Sequence, residues 1–146
     1  MTIDPNDLPF FAGHRHPDHF GTFIGYEVTS FDRAQREVRL KLTVREKHLS
    51  PSGRMHGGVI SAFLDYSCGV AVCTTLNAGD LCSTVELKVN YFRPLQLGDE
   101  LESVARVVFR GKKLCALTAF LYKSGSDEPV AMATATFNLI EVVPAT

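Results

Sequence analysis

The run His48-Leu49-Ser50-Pro51-Ser52-Gly53-Arg54-Met55-His56-Gly57-Gly58 leads straight into a long apolar segment that holds Asp65. Three features of this stretch could do chemistry. Gly57 and Gly58 open a segment that reads as a helix, where a glycine costs roughly 1 kcal/mol in an interior and less at an end. At a helix start, glycine lets a ligand approach the backbone closely. The free N–H groups and the dipole of a helix start favour an anion, or an oxygen gaining charge. Asp65 lies in the most apolar part of the chain, where an unpartnered carboxylate is expensive and therefore points to a purpose. Each feature alone has a structural alternative: a tight loop-to-helix entry for the glycines, a hydrogen-bonded structural acid for Asp65. With His56 beside them, their coincidence favours a site.

Spacing adds a constraint. Gly57 and Asp65 are eight residues apart, which on one helix means ~12 Å of rise and ~80° of azimuth. One reacting carbon cannot touch both. Two such helices packed antiparallel across a two-fold axis would bring Asp65 of one chain near Gly57 of the other, so a working site requires a dimer.

The elements that must hold these residues read as follows. The chain has 146 residues, 45% hydrophobic and 21% charged, which suits one globular domain burying ~68% of its unfolded surface. Residues 1–21 read as an irregular arm or short helix, and 22–142 as a single domain. Strands are expected at 22–28 and 37–44, the second alternating cleanly. Residues 45–55 form a loop. Residues 56–76 form a helix apolar on every face, hence buried in a core or spanning a membrane. Asp65, the opening glycines and the flanking strands argue against the membrane span. Four more strands follow, at 81–93, 101–110, 114–123 and 129–140, and short links make them antiparallel neighbours. In the first of these, Leu81, Val85, Leu87, Val89 and Tyr91 should share one face. The order β-β-α-β-β-β-β predicts an α+β fold, a six-stranded antiparallel sheet wrapped around one long central helix. That order and shape resemble the hotdog fold. One helix does not shield six strands, so a second protomer extending the sheet is expected.

Composition excludes several classes. Fifteen basic and sixteen acidic residues give a net charge of −1, against the basic excess of a nucleic-acid binder. Cys68, Cys73, Cys82 and Cys115 form no C-x-x-C pair, so free thiols in a reducing, cytoplasmic setting are expected. No secretory leader is expected from the first residues. Walker, G-x-G-x-x-G, H-E-x-x-H and G-x-S-x-G patterns are missing from the sequence. His14, His16 and His19 lie close together without the carboxylate–histidine spacing of a zinc site, and no metal is expected. Arg110, Lys112 and Lys113 make a basic hairpin tip, either a solvated turn or a contact for phosphates.

The pattern His-x-Ser-Pro-x-Gly-x-x-His-Gly-Gly followed by Asp65 resembles the active-site motif of the PaaI-like (phenylacetic-acid-degradation type) hotdog acyl-CoA thioesterases. The segment Thr84-Val85-Glu86-Leu87-Lys88-Val89-Asn90-Tyr91-Phe92-Arg93-Pro94 is similar to that family's third strand, and the likeness runs over residues 22–140. The resemblance implies hydrolysis of acyl-CoA thioesters by a homodimer, or a dimer of dimers, with CoA present only as part of the substrate. It implies that the Gly57 and Gly58 amides polarise the carbonyl and that His56 orients the loop or the sulfur side. Asp65 from the other protomer would be the nucleophile or the base that activates water, and Thr84 would position water near it. Ser50 stands where the family usually has asparagine; serine is shorter and lacks the amide's paired donor and acceptor, so water would be held differently. Phe63, Tyr66, Phe10 and Phe11 would line the acyl pocket, and Arg110, Lys112 and Lys113 would meet nucleotide phosphates. The rival functions are a non-catalytic acyl-CoA binding module and a hotdog dehydratase or hydratase.

Overall fold

The computed structural model describes residues 2–4, 8 and 16–142. Helix α1 (His19–Ile24) precedes strands β1 (Glu27–Asp32) and β2 (Glu37–Thr43). A 3₁₀ turn (Glu46–His48) leads to helix α2 (Gly57–Cys73). Strands β3 (Leu81–Tyr91), β4 (Glu100–Arg110), β5 (Leu114–Lys123) and β6 (Pro129–Ile140) complete the fold. The strands form one six-stranded antiparallel sheet in the order β1-β2-β4-β5-β6-β3. The architecture is the expected one: a sheet curved around a single long helix.

Alternation decides which side of the sheet is dry. Val38, Leu40 and Leu42 on β2, Leu101, Ala105 and Val107 on β4, and Leu117, Ala119 and Leu121 on β5 are buried and pack with Phe63, Leu64, Val70 and Ala71 of α2. Small alanines at 131, 133 and 135 of β6 continue this dry surface. The buried hydroxyls of Ser67 and Ser103 inside it are satisfied, since Ser67 Oγ lies 2.6 Å from Ser103 Oγ and 2.8 Å from the Phe63 carbonyl oxygen.

Two local expectations are corrected. Residues 22–24 belong to α1, not to a strand: Asp18 accepts from Gly21 N–H at 2.8 Å, and Gly25 ends the helix at φ 81°. On β3 the register shifts between Thr84 and Glu86, leaving Val85 60% exposed. A bulge re-aims the strand, so exposed Thr84 reaches Asp65 on α2 and Val85 does not share the face of half-buried Leu87. Helix α2 is likewise not enclosed on every side: Gly58 is exposed, and Ser61, Ala62, Asp65, Tyr66 and Gly69 are only half-buried. No helix among the described residues is long and apolar enough to cross a membrane.

Candidate active site

The loop before α2 is a small pinned hairpin. Leu49 and Met55 form a bridge, Gly53 turns at φ 78°, and the Met55 N–H donates to the Leu95 carbonyl at 2.8 Å. His48 anchors its base. The ring is 1% exposed; Nδ1 accepts from Arg45 N–H, and Nε2 donates to the Ile24 carbonyl, both at 2.9 Å. Burial lowers the His48 pKa from its ordinary value. The His56 N–H in turn donates to the His48 carbonyl at 2.8 Å, so a buried ring in one loop sets where α2 begins.

At that start His56 is the N-cap. Its Nδ1 accepts from Gly58 N–H at 2.8 Å, while the Val59 and Ile60 amides bond the His56 carbonyl. The Gly57 N–H has no hydrogen-bond partner among the described residues. Of the two glycine amides, that of Gly58 is thus occupied by the cap. A Cβ on Gly58 would lie 3.0 Å from His56 Nδ1, so a larger residue here would press on the capping ring. Beneath the first turn, Tyr91 Oη donates to the Gly57 carbonyl at 3.1 Å and also bonds Ser61 Oγ. Tyr91 and Ser61 escaped the sequence reading; alternation placed Tyr91 on the inner face, but its partner lies 34 residues away.

Asp65 lies two turns further along α2. It is half-buried, and Thr84 Oγ1 donates to its Oδ1 at 2.7 Å. Asp65 and Thr84 stand on the wall of a cleft of about 290 Å³ between α2 and β3, lined also by Tyr66, Gly69, Cys73, Cys82 and Phe137. Tyr66 is fixed there: its hydroxyl donates to Asp18 Oδ1 at 2.7 Å, and its ring lies 4.7 Å from that of Tyr26. Burial, with the Asp18 charge, holds both tyrosine hydroxyls well above their usual range. Asp18 was not singled out in the sequence.

Other expected residues lie elsewhere. Phe63 is wholly buried in the core and lines no part of the cleft; its side of α2 faces the sheet. Ser50 Oγ pairs with Ser52 Oγ at 2.7 Å in the hairpin before α2. Arg110 turns back to Thr75 Oγ1 and to the Gly111 carbonyl, at the opposite end of α2 from Gly57. Lys112 and Lys113 are exposed beside it. His16 and His19 are exposed, whereas Phe10, Phe11 and His14 lie outside the described residues.

The thioesterase superfamily profile matches residues 52–130, from the pinned hairpin through the cleft to the start of β6. This chain belongs to the thioesterase superfamily. PA0474 of Pseudomonas aeruginosa, a protein named as an esterase, is 30% identical to this thioesterase over 95% of the chain and 98% of its own length. Acyl-coenzyme A thioesterase 13 of Mus musculus is 25% identical, covering 80% of this chain and 89% of that protein. A phenylacetic acid degradation-related protein from Ralstonia eutropha superposes with a TM-score of 0.77 at 29% identity, over 87% of this chain and 94% of that one. A variant of the phenylacetic acid degradation protein PaaI from Thermus thermophilus gives 0.73 at 26% identity, over 83% and 98%. The thioesterase described here is PaaI-like, with the hotdog fold.

Proposed function

We propose that this thioesterase hydrolyses acyl-CoA to the free acid and CoA at a site shared by two protomers. The Gly57 N–H of one protomer, at the positive end of α2, receives the thioester carbonyl oxygen as it gains charge. Asp65 of the other protomer supplies the carboxylate, attacking the carbonyl carbon or taking a proton from the water that attacks it. Thr84 donates to one carboxylate oxygen and leaves the second for the reaction. On the base route, the proton that Asp65 takes from water passes to the CoA sulfur as the C–S bond breaks. On the nucleophile route, the CoA thiolate leaves first, and water then hydrolyses the mixed anhydride on Asp65, supplying the sulfur's proton. His56 keeps Gly57 available by holding Gly58.

The observation that carries this reading is Asp65 itself: a half-buried carboxylate, hydrogen-bonded by Thr84, on the wall of a cleft that also presents Val70 and Phe137. The open stripe on α2 and the long outer edge of β3, unpaired among the described residues, support the two-protomer arrangement. The acyl-CoA substrate is supported by the relative named for that activity. A cytoplasmic setting goes with the four unpaired thiols.

The test is steady-state release of free thiol from a panel of acyl-CoAs by wild type and Asp65→Asn. Loss of the carboxylate is expected to lower kcat by at least ~100-fold. Equal rates would remove Asp65 from the chemistry, and tight binding of acyl-CoA without turnover by wild type would make the protein a binding module.

A further inference from the structure

The far end of β3 reaches the first turn of α2 through one side chain. Tyr91, the last residue of that strand, donates its hydroxyl proton to the Gly57 carbonyl at 3.1 Å. A tyrosine hydroxyl has a single proton, so Ser61 is the donor in the bond between Ser61 Oγ and Tyr91 Oη. The ring lies along Gly57: a Cβ there would meet Tyr91 Cε1 at 3.4 Å and Cζ at 3.6 Å. Tyr91 is 50% exposed, yet its polar end is turned onto the helix.

These contacts clamp a backbone with little stiffness of its own. Two consecutive glycines have the largest conformational freedom a chain offers, and helix ends fray. The peptide plane joining Gly57 to Gly58 is held at both sides, its carbonyl by Tyr91 and its N–H by His56 Nδ1. The plane before it, joining His56 to Gly57, is held at its carbonyl by the Val59 and Ile60 amides. That plane carries the Gly57 N–H. Gly57 thus sits between two fixed planes, and they set the direction of its N–H. Among these ties, Tyr91 is the one that comes from another element of the fold.

We propose that Tyr91 is a positioning residue, whose hydroxyl, bonded to the Gly57 carbonyl, aims the Gly57 N–H at the thioester oxygen. The kinetic consequence rests on the function proposed above. Tyr91 touches no reacting atom in this role. Both bonded groups belong to one protomer, so the contact does not wait on the partner chain. Strand β3 then serves both functional points of α2 with a hydroxyl, Thr84 at Asp65 and Tyr91 at Gly57. A bond to an oxygen gaining charge is worth most in the transition state, so a misaimed amide lowers kcat rather than raising KM.

The experiment is Tyr91→Phe, which keeps the ring beside Gly57 and deletes the donor. With the fastest substrate of the acyl-CoA panel, kcat is expected to fall about tenfold at unchanged KM and unchanged melting temperature. Gly57→Pro lacks the N–H that Tyr91 aims, and proline suits the first helical position. In that background Tyr91→Phe should change kcat by less than about twofold. A second tenfold loss there would mean that Tyr91 does not act through the amide. An undiminished kcat in the single variant, or a raised KM alone, would equally overturn the role. Exchange of the Gly58 amide with water, followed by NMR in protein carrying isotope-labelled glycine, reads the clamp without turnover. In Tyr91→Phe it should quicken several-fold while the Gly69 amide, in the middle of α2, keeps its rate. Unchanged exchange at Gly58 overturns the clamp, and equal quickening at Gly69 replaces it with general support of the helix. If wild type hydrolyses no member of the panel, the hydrolase reading fails, and the Gly58 exchange still decides whether Tyr91 holds the turn.

Discussion

The first turn of α2 spends three of its amides on His56: Gly58 on the ring nitrogen, Val59 and Ile60 on the carbonyl. What remains is the Gly57 N–H, and it can be deleted without rebuilding the helix. Proline lacks that hydrogen, is favoured at the first helical position, and asks its predecessor for extended backbone. His56 already has φ −64° and ψ 134°. A Cβ at position 57 meets the Tyr91 ring at 3.4 Å, an ordinary contact. Gly57→Pro is therefore expected to keep the wild-type melting temperature and lose roughly 10²–10³ in kcat, the usual worth of one oxyanion donor. A stable variant with an undiminished rate would assign the carbonyl to another donor. Two adjacent glycines before an apolar helix made this helix start legible in the sequence. That Gly58 serves the cap was not legible, because only three-dimensional placement of the His56 ring decides which amide is consumed.

Elements were legible where one face is dry. Strands β5 and β6 fall where their alternation puts them, since a slip by one residue would turn every apolar side chain outward. The misread segments lack that discipline. Residues 22–24 are β-branched or aromatic, yet a side-chain cap and the Asp18–Tyr66 hydrogen bond hold them helical against α2; tertiary contacts override weak local preference. On β3 a single bulge defeats parity. His48, unremarkable within its motif, ties the end of α1 to the loop that starts α2. Its lowered pKa makes the fold sensitive to acid. The unfolded ring takes up its proton near the ordinary value of 6.5, and the folded ring only at lower pH. The unfolded state thus binds more protons in that window, and stability is full above about pH 6.5 and falls as pH drops below it. His48→Gln keeps one acceptor and one donor without titrating. Denaturant melts from pH 7.5 to 5 should show a smaller acid loss in His48→Gln than in wild type; parallel losses would place the acid sensitivity elsewhere.

The two edges of the sheet are treated differently. Beside β1, Ile3 donates its N–H to the Val28 carbonyl at 2.7 Å, so that edge is partly covered. The outer edge of β3, eleven residues long, has no strand partner among the described residues, and an open edge of that length invites pairing. Pairing of two β3 edges about a two-fold axis would continue the sheet and set the open stripes of two α2 helices against one another. Each Gly57 would then face the other chain's Asp65, which the ~12 Å between them on one helix forbids within a chain. This arrangement has a consequence that no single-chain site shares. Gly57→Pro and Asp65→Asn are each expected to be nearly inactive alone, yet a dimer with one of each contains one site in which both residues are wild type. Co-expressed in equal amounts and purified through two different tags, the mixed dimer should recover about half the wild-type rate, and an unsorted statistical mixture about a quarter. Both variants stay folded in this scheme, so silence in a confirmed mixed dimer cannot be attributed to collapse. It would mean that amide and carboxylate act within one chain or not at all.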